Sequence, residues 1–189
     1  MKKIKWVKWF AIVAILMLLM QACSTGSAGD ANEGSKKTEN GDGTGGTLVV
    51  VRLSDATGLD PHFITDIPSA NVVHGKVYET LVAFDKDMKI KPRLATEYKQ
   101  LDDLTWEFTL QEGVKFHDGT PFNAEAVKIT LERLLDPATG SPQKDKLGMI
   151  SEIIVKDDTH VTIKLSQPYA PLLSILASNE GSIISPKSI

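Results

Sequence analysis

A mixed α/β fold is what the sequence predicts for the stretch that begins at Thr47, about 143 residues and enough for one domain. Three runs carry that prediction. In TWEFTL, Trp106, Phe108 and Leu110 alternate with Thr105, Glu107 and Thr109, the period-two pattern of a strand with one face in a core. In AEAVKITLERLL, Val127, Leu131 and Leu134 or Leu135 recur at helical spacing, and Asn123 just ahead of them is a good N-cap. SEIIVKDDTHVTIKL reads as a hairpin turning at Asp157-Asp158.

The other elements follow from local signals. Leu48–Leu53, LVVVRL, is a β-branched run and is predicted as a strand that ends in the polar loop SDATGLDP. Ser69 is expected to cap a helix through Thr80, because Val73, Val77 and Leu81 can share one face. LVAFDKDMKIKP reads as two short apolar segments around Asp85-Lys86-Asp87, closed by Pro92. Gly113 lets the chain turn into VKF, and Asp118-Gly119 supplies a second tight turn. Asp136-Pro137 stops the AEAVKITLERLL helix, and QPYAPLLSILAS starts another after Pro171.

Upstream of this body the chemistry is different. Lys2, Lys3, Lys5 and Lys8 precede an apolar run from Trp9 to Met20, too short to cross a bilayer and suited to the h-region of a secretory signal. Cys23, the only cysteine, follows Ala22 directly, and a lone cysteine forms no internal disulfide. The stretch LMLLMQACSTGS resembles a bacterial lipobox, with Met20 where Leu is usual and Gln21 where Ser or Ala is usual. That resemblance implies cleavage after residue 22 and a diacylglyceryl group on the Cys23 sulfur. Two acyl chains give stable anchoring where one binds reversibly. From Ser24 to Gly46 no large apolar side chain occurs, so this segment is expected to be a flexible polar spacer.

Composition and motifs narrow the function. The chain carries a formal net charge of −3, and loss of the first 22 residues, with four lysines and no acid, would leave −7. An acidic body without a basic stripe argues against nucleic acid as a partner. Gly41, Gly43 and Gly46 spell G-x-G-x-x-G but precede a strand rather than open a helix, so they make no dinucleotide fingerprint. No G-x-S-x-G, phosphate loop or H-E-x-x-H occurs, and no catalytic residue or cofactor is expected. His62 and His74 lack the third donor a metal site needs, and His117-Asp118 falls in a hairpin turn, where adjacent side chains point apart.

The run LATEYKQLDDLTWEFTLQEGVKFHDGTPFNAEAVKITLERLLDP resembles the extracellular solute-binding proteins of family 5, which serve ABC importers of dipeptides, oligopeptides, glutathione and nickel. VVRLSDATGLDPHFITD, YETLVAFD and TIKLSQPYAPLLSILAS resemble the same family, so the likeness extends over Leu48 to Ile189. Gln111 departs from it, standing where Arg or Lys is usual. The resemblance implies the N-terminal part of a two-lobe, type II periplasmic-binding-protein-like fold, with residues 47–189 giving the start of lobe I and its extra αβ subdomain, in truncated form. It implies an extracytoplasmic lipoprotein on the cell membrane that hands a peptide or glutathione to ABC permease subunits, glutathione-binding members being the most similar branch. Within the loop after the first strand it points to Thr57, Gly58, Leu59, Asp60 and His62 as ligand-binding candidates, the first three foremost. Two other readings stay open: nickel or nickel-chelate binding by the same family, and a surface lipoprotein without a transport role.

Overall fold

The computed structural model describes residues 47–189; the expected signal peptide over 1–22, Cys23 and the spacer through residue 46 lie outside the described residues. Four antiparallel strands form the central sheet: β3 (Ala95–Asp102), β4 (Thr105–Leu110), β5 (Ile150–Asp157) and β6 (His160–Leu165), in the order β3-β4-β6-β5. Register is set by the apolar face. Phe108 stands opposite Val161, Trp106 opposite Ile163, and Ile163 opposite Ile153. A slip of one residue would turn that whole set to solvent, which is why alternation in the sequence is so informative. The expected β5–β6 hairpin forms, with Asp157 facing His160 and the Asp157 carboxylate accepting from the Thr159 amide.

One helix covers this sheet. Helix α2 (Ala124–Leu135) starts at Asn123, whose side chain accepts from the Ala126 amide at 3.0 Å, and it packs on β5 and β6. Val127, Leu131 and Leu134 are fully buried, as their spacing predicts, while Leu135 is half-buried. They join Phe108, Val161, Ile163 and Leu147 in the core. Each such side chain taken out of water contributes about 1.5–3 kcal/mol before entropy is counted. The helix ends where Asp136 caps the turn at Pro137–Thr139.

A second, two-stranded sheet pairs β1 (Val82–Phe84) with β2 (Ile90–Pro92) around a turn in which the Asp85 carboxylate accepts from the amides of Asp87 and Lys89. Helix α3 (Leu172–Leu176) packs on β1. The returning chain then runs beside the stretch that led into the sheets: Ser182 bridges Thr80, the Ile183 amide donates to the Glu79 carbonyl, and Ile184 exchanges hydrogen bonds with Thr130.

Two expectations are corrected, and one strand comes without having been expected. The helix predicted to follow a Ser69 cap and run through Thr80 is α1 (Ile67–Val73), capped three residues earlier and much shorter. Asp66 is its N-cap, and the chain leaves the helix at His74, which is extended, before Gly75 turns it at φ 67°, a conformation that L side chains rarely take. Val77 is therefore exposed, although Val73 and Leu81 are buried. Leu48–Leu53 forms no strand: Leu48, Val49, Val50, Val51 and Leu53 are all exposed, and nothing pairs with them among the described residues. β3 is the strand that the sequence pattern does not predict. It is an edge strand with mostly polar, exposed side chains, so no apolar alternation announces it.

Candidate functional site

The loop Thr57–His62 is short of regular structure and rich in tethers. At its start the Thr57 amide donates to the Ser69 hydroxyl at 2.8 Å, and the Gly58 amide reaches the same oxygen at 3.4 Å. The Thr57 hydroxyl donates to the Asp66 carboxylate at 2.6 Å, whose other oxygen caps α1 through the Ser69 amide. Ser69 thus serves the loop, while Asp66 serves as the helix cap.

At its far end the loop is bound to α2. Arg133 Nη2 donates to Asp60 Oδ2 at 2.6 Å and Nη1 to Asp60 Oδ1 at 3.2 Å, a two-pronged pair whose planar geometry a lysine cannot reproduce. Nη1 also lies 2.9 Å from His62 Nδ1. Because a guanidinium only donates, Nδ1 must accept, which places the imidazole proton on Nε2 and leaves the ring neutral. Asp60 Oδ1 further accepts from the His62 amide, and the Phe63 amide donates to the Asp60 carbonyl, closing a turn. The Arg133 guanidinium carbon sits 5.7 Å from the Phe63 ring centroid. Three more side chains take the carbonyls that follow: Asn179 that of Pro61, Ser141 that of His62 and Gln143 that of Ile64.

Electrostatics follow from this packing. His62 is fully buried, and burial first, then the Arg133 charge, push its imidazole down to about 4. Burial alone would raise the Asp60 carboxyl, but the Arg133 hydrogen bond and the His62 amide outweigh it and hold the group below the usual carboxylate range. Burial and the Asp60 charge push the Tyr78 phenol up.

What is left open is the apex. The Leu59 amide and the carbonyls of Thr57, Gly58 and Leu59 take no hydrogen bond among the described residues, and the Leu59 side chain is 57% exposed. Phe63, 44% exposed, lies on the same turn. A Cβ built on Gly58 would meet no atom within 4 Å. Such a rigid, unsatisfied piece of backbone can pair with the amide groups of an extended ligand.

The five sequence candidates are therefore of two kinds. Thr57, Gly58 and Leu59 face outward, whereas Asp60 and His62 are held within the fold. Arg133, Asn179, Ser141 and Gln143, which hold the loop, were not singled out from sequence, and Ser69 was expected to cap the helix, a role that Asp66 takes instead. A separate cleft of about 480 Å³, lined by Tyr78, Leu94, Phe116, Asp118 and Ser185 among others, includes none of the five. There Asp118 accepts from the Ser185 hydroxyl at 2.6 Å and from the Thr120 amide, which hold its carboxyl at about 2, so it serves the hairpin turn. Among the described residues no three metal-ligating side chains converge, and His62 spends Nδ1 on Arg133.

Comparison with known proteins agrees with this architecture. Residues 89–188 match the profile of the bacterial extracellular solute-binding proteins, family 5 Middle. The glutathione-binding protein GsiB of Escherichia coli O1:K1 / APEC is 40% identical over 143 residues, covering 75% of this chain and 28% of its own length. The chain thus spans a little over a quarter of that curated relative. Among solved structures, the binding protein AgaA of A. tumefaciens R10 in complex with agropinic acid is 32% identical with a TM-score of 0.65, over 69% of this chain and 26% of that one. DppA of Helicobacter pylori, in complex with the peptide STSA, is 30% identical with a TM-score of 0.63, over 71% of this chain and 30% of that one.

Proposed function

The chain belongs to the bacterial extracellular solute-binding proteins of family 5, and from that premise we propose that it captures di- or oligopeptides or glutathione outside the cytoplasm for an ABC permease. Its fold is that of part of a type II periplasmic binding protein. The family is one of binding proteins rather than enzymes. The observation that carries the ligand class is the apex Thr57–Leu59, whose unsatisfied backbone groups are fixed in place from both ends and match those of a peptide. GsiB is named for glutathione and DppA was solved with a peptide, both of which present amide groups to bind.

Anchoring completes the proposal. A diacylglyceryl group on Cys23 would hold the body at the membrane surface, where a permease receives the ligand, and the acidic spacer after it would give the body reach.

Exposure of the apex limits affinity. Small-molecule sites bury about 70–90% of their ligand, and the outward-facing Thr57–Leu59 covers one side only. Calorimetry of the full chain in detergent micelles against reduced glutathione, dialanine and tetraalanine, with glucose as an unrelated solute, tests the reading. A dissociation constant in the millimolar range, about −4 kcal/mol, for the peptidic ligands alone is expected. Equal heats for glucose and peptides, or none for any peptide, would overturn it.

A further inference from the structure

Resting on the reading of Thr57–Leu59 as a ligand contact, we propose that Arg133 is a positioning residue that sets the geometry of that apex from the last turn of α2.

Its placement supplies the first argument. Leu131 and Leu134, on either side of Arg133, are fully buried, so the helix that carries the guanidinium is fixed to the core. The side chain then spans to the loop and meets three groups at once: the Asp60 carboxylate, His62 Nδ1 and the Phe63 ring. These three residues make up one turn, and among the described residues Arg133 is the side chain that hydrogen-bonds to two of them and lies over the ring of the third.

The contacts of the turn also depend on one another. Asp60 Oδ1 accepts both from Arg133 and from the His62 amide, so the carboxylate that closes the turn is aimed by the guanidinium. Asp60 is 39% exposed on its side chain, and without Arg133 water competes for it. Ser69 would still hold Thr57 and Gly58 at the other end. Asn179, Ser141 and Gln143 would still hold the carbonyls of Pro61, His62 and Ile64, but the Asp60 side chain that closes the turn next to Leu59 would be released, and Leu59 would lose its fixed position. Lysine is no substitute, because an ammonium cannot grip both carboxylate oxygens in one plane while lying over the ring.

Amide hydrogen exchange by NMR on the full chain in detergent micelles decides the matter, with Arg133→Met, Arg133→Lys and, as a control that loosens α2 without touching the loop, Asn123→Ala. The Arg133 variants are expected to speed exchange at His62 and Phe63 about tenfold or more, while Phe108 and Val161 change no more than in the Asn123 variant. Arg133 and Asp60 are the charged groups facing His62, so the His62 ring should also titrate at higher pH in Arg133→Met than in Arg133→Lys, which keeps the positive charge, whereas loss of burial alone would raise both alike. Reduced glutathione serves as the probe: its shifts at the Leu59 amide should vanish in Arg133→Met and shrink in Arg133→Lys. Exchange at His62 and Phe63 that rises only in step with Phe108 and Val161 overturns the positioning role. Selective release of the turn, with no glutathione shift at Thr57–Leu59 even in the wild type, supports that role and overturns the ligand reading instead.

Discussion

Arg133 grips both oxygens of Asp60, at 2.6 and 3.2 Å, across a sequence separation of 73 residues. This one pair joins the loop that carries the candidate ligand contacts to the helix that covers the main sheet. The pair is partly buried, with side-chain exposures of 20% and 39%, so it lies between a screened surface bridge and a costly interior one. A double-mutant cycle with Asp60→Ala and Arg133→Met should give a coupling energy of about 1–2 kcal/mol by urea unfolding. Additive losses would mean the two side chains do not act together.

Acid should loosen the same region. In the unfolded chain an imidazole takes its proton near 6.5, whereas in the fold His62 does so only near 4. The unfolded state therefore binds the proton first as pH drops, and stability that is full above about 6.5 falls until about 4, by roughly 2–3 kcal/mol. His74, also pushed down by burial, adds to the fall below about 6.5. The readout is thus the difference between wild type and His62→Asn, which keeps an acceptor for Arg133 but does not titrate. The variant should show a shallower fall between pH 6.5 and 4, and parallel curves would contradict the assignment.

Two glycines should separate function from folding. At Gly58 a methyl group would meet nothing within 4 Å, so Gly58→Ala should leave stability within about 0.5 kcal/mol yet weaken peptide binding. At Gly181 the added carbon would lie 2.6 Å from the Leu176 carbonyl carbon and Cα, which are backbone and cannot step aside. Gly181→Ala should lose about 3 kcal/mol or more in thermal unfolding. Equal behaviour of the two would remove the distinction.

For the anchor, Cys23→Ala should leave an unprocessed precursor that labelled fatty acid does not tag, seen as a slower band on a gel. Equal labelling of wild type and variant would take the lipid out of the proposal.

The sequence reading succeeded where the determinant was local. Asn123, the Val127–Leu131–Leu134 stripe and the alternation of Trp106, Phe108 and Leu110 each specify an element within one or two turns of chain, and the structure has them. It failed where a competing local signal won, as at His74-Gly75, where the chain leaves α1 and turns before Val77 can use its helical spacing. Leu48–Leu53 shows the converse limit: β-branched side chains favour a ladder but cannot form one without a partner strand. Of the site, the loop was legible as a polar Gly-Pro segment after an apolar run. Its supports were not, because Asn179, Gln143, Ser141 and Arg133 lie 71 to 118 residues from the groups they hold. Contacts of that span leave no periodicity or spacing to read.

The central claim is that Thr57–Leu59 is where a peptidic ligand meets this chain. It is tested most directly by following backbone amide shifts of the full chain in detergent micelles while reduced glutathione is raised to about 10 mM, well above the expected millimolar dissociation constant. Saturable shifts concentrated at Thr57, Gly58 and Leu59, and diminished in Gly58→Ala, are the predicted result. Shifts confined to the cleft at Phe116, Asp118 and Ser185, or no saturable shift at all, would contradict the account.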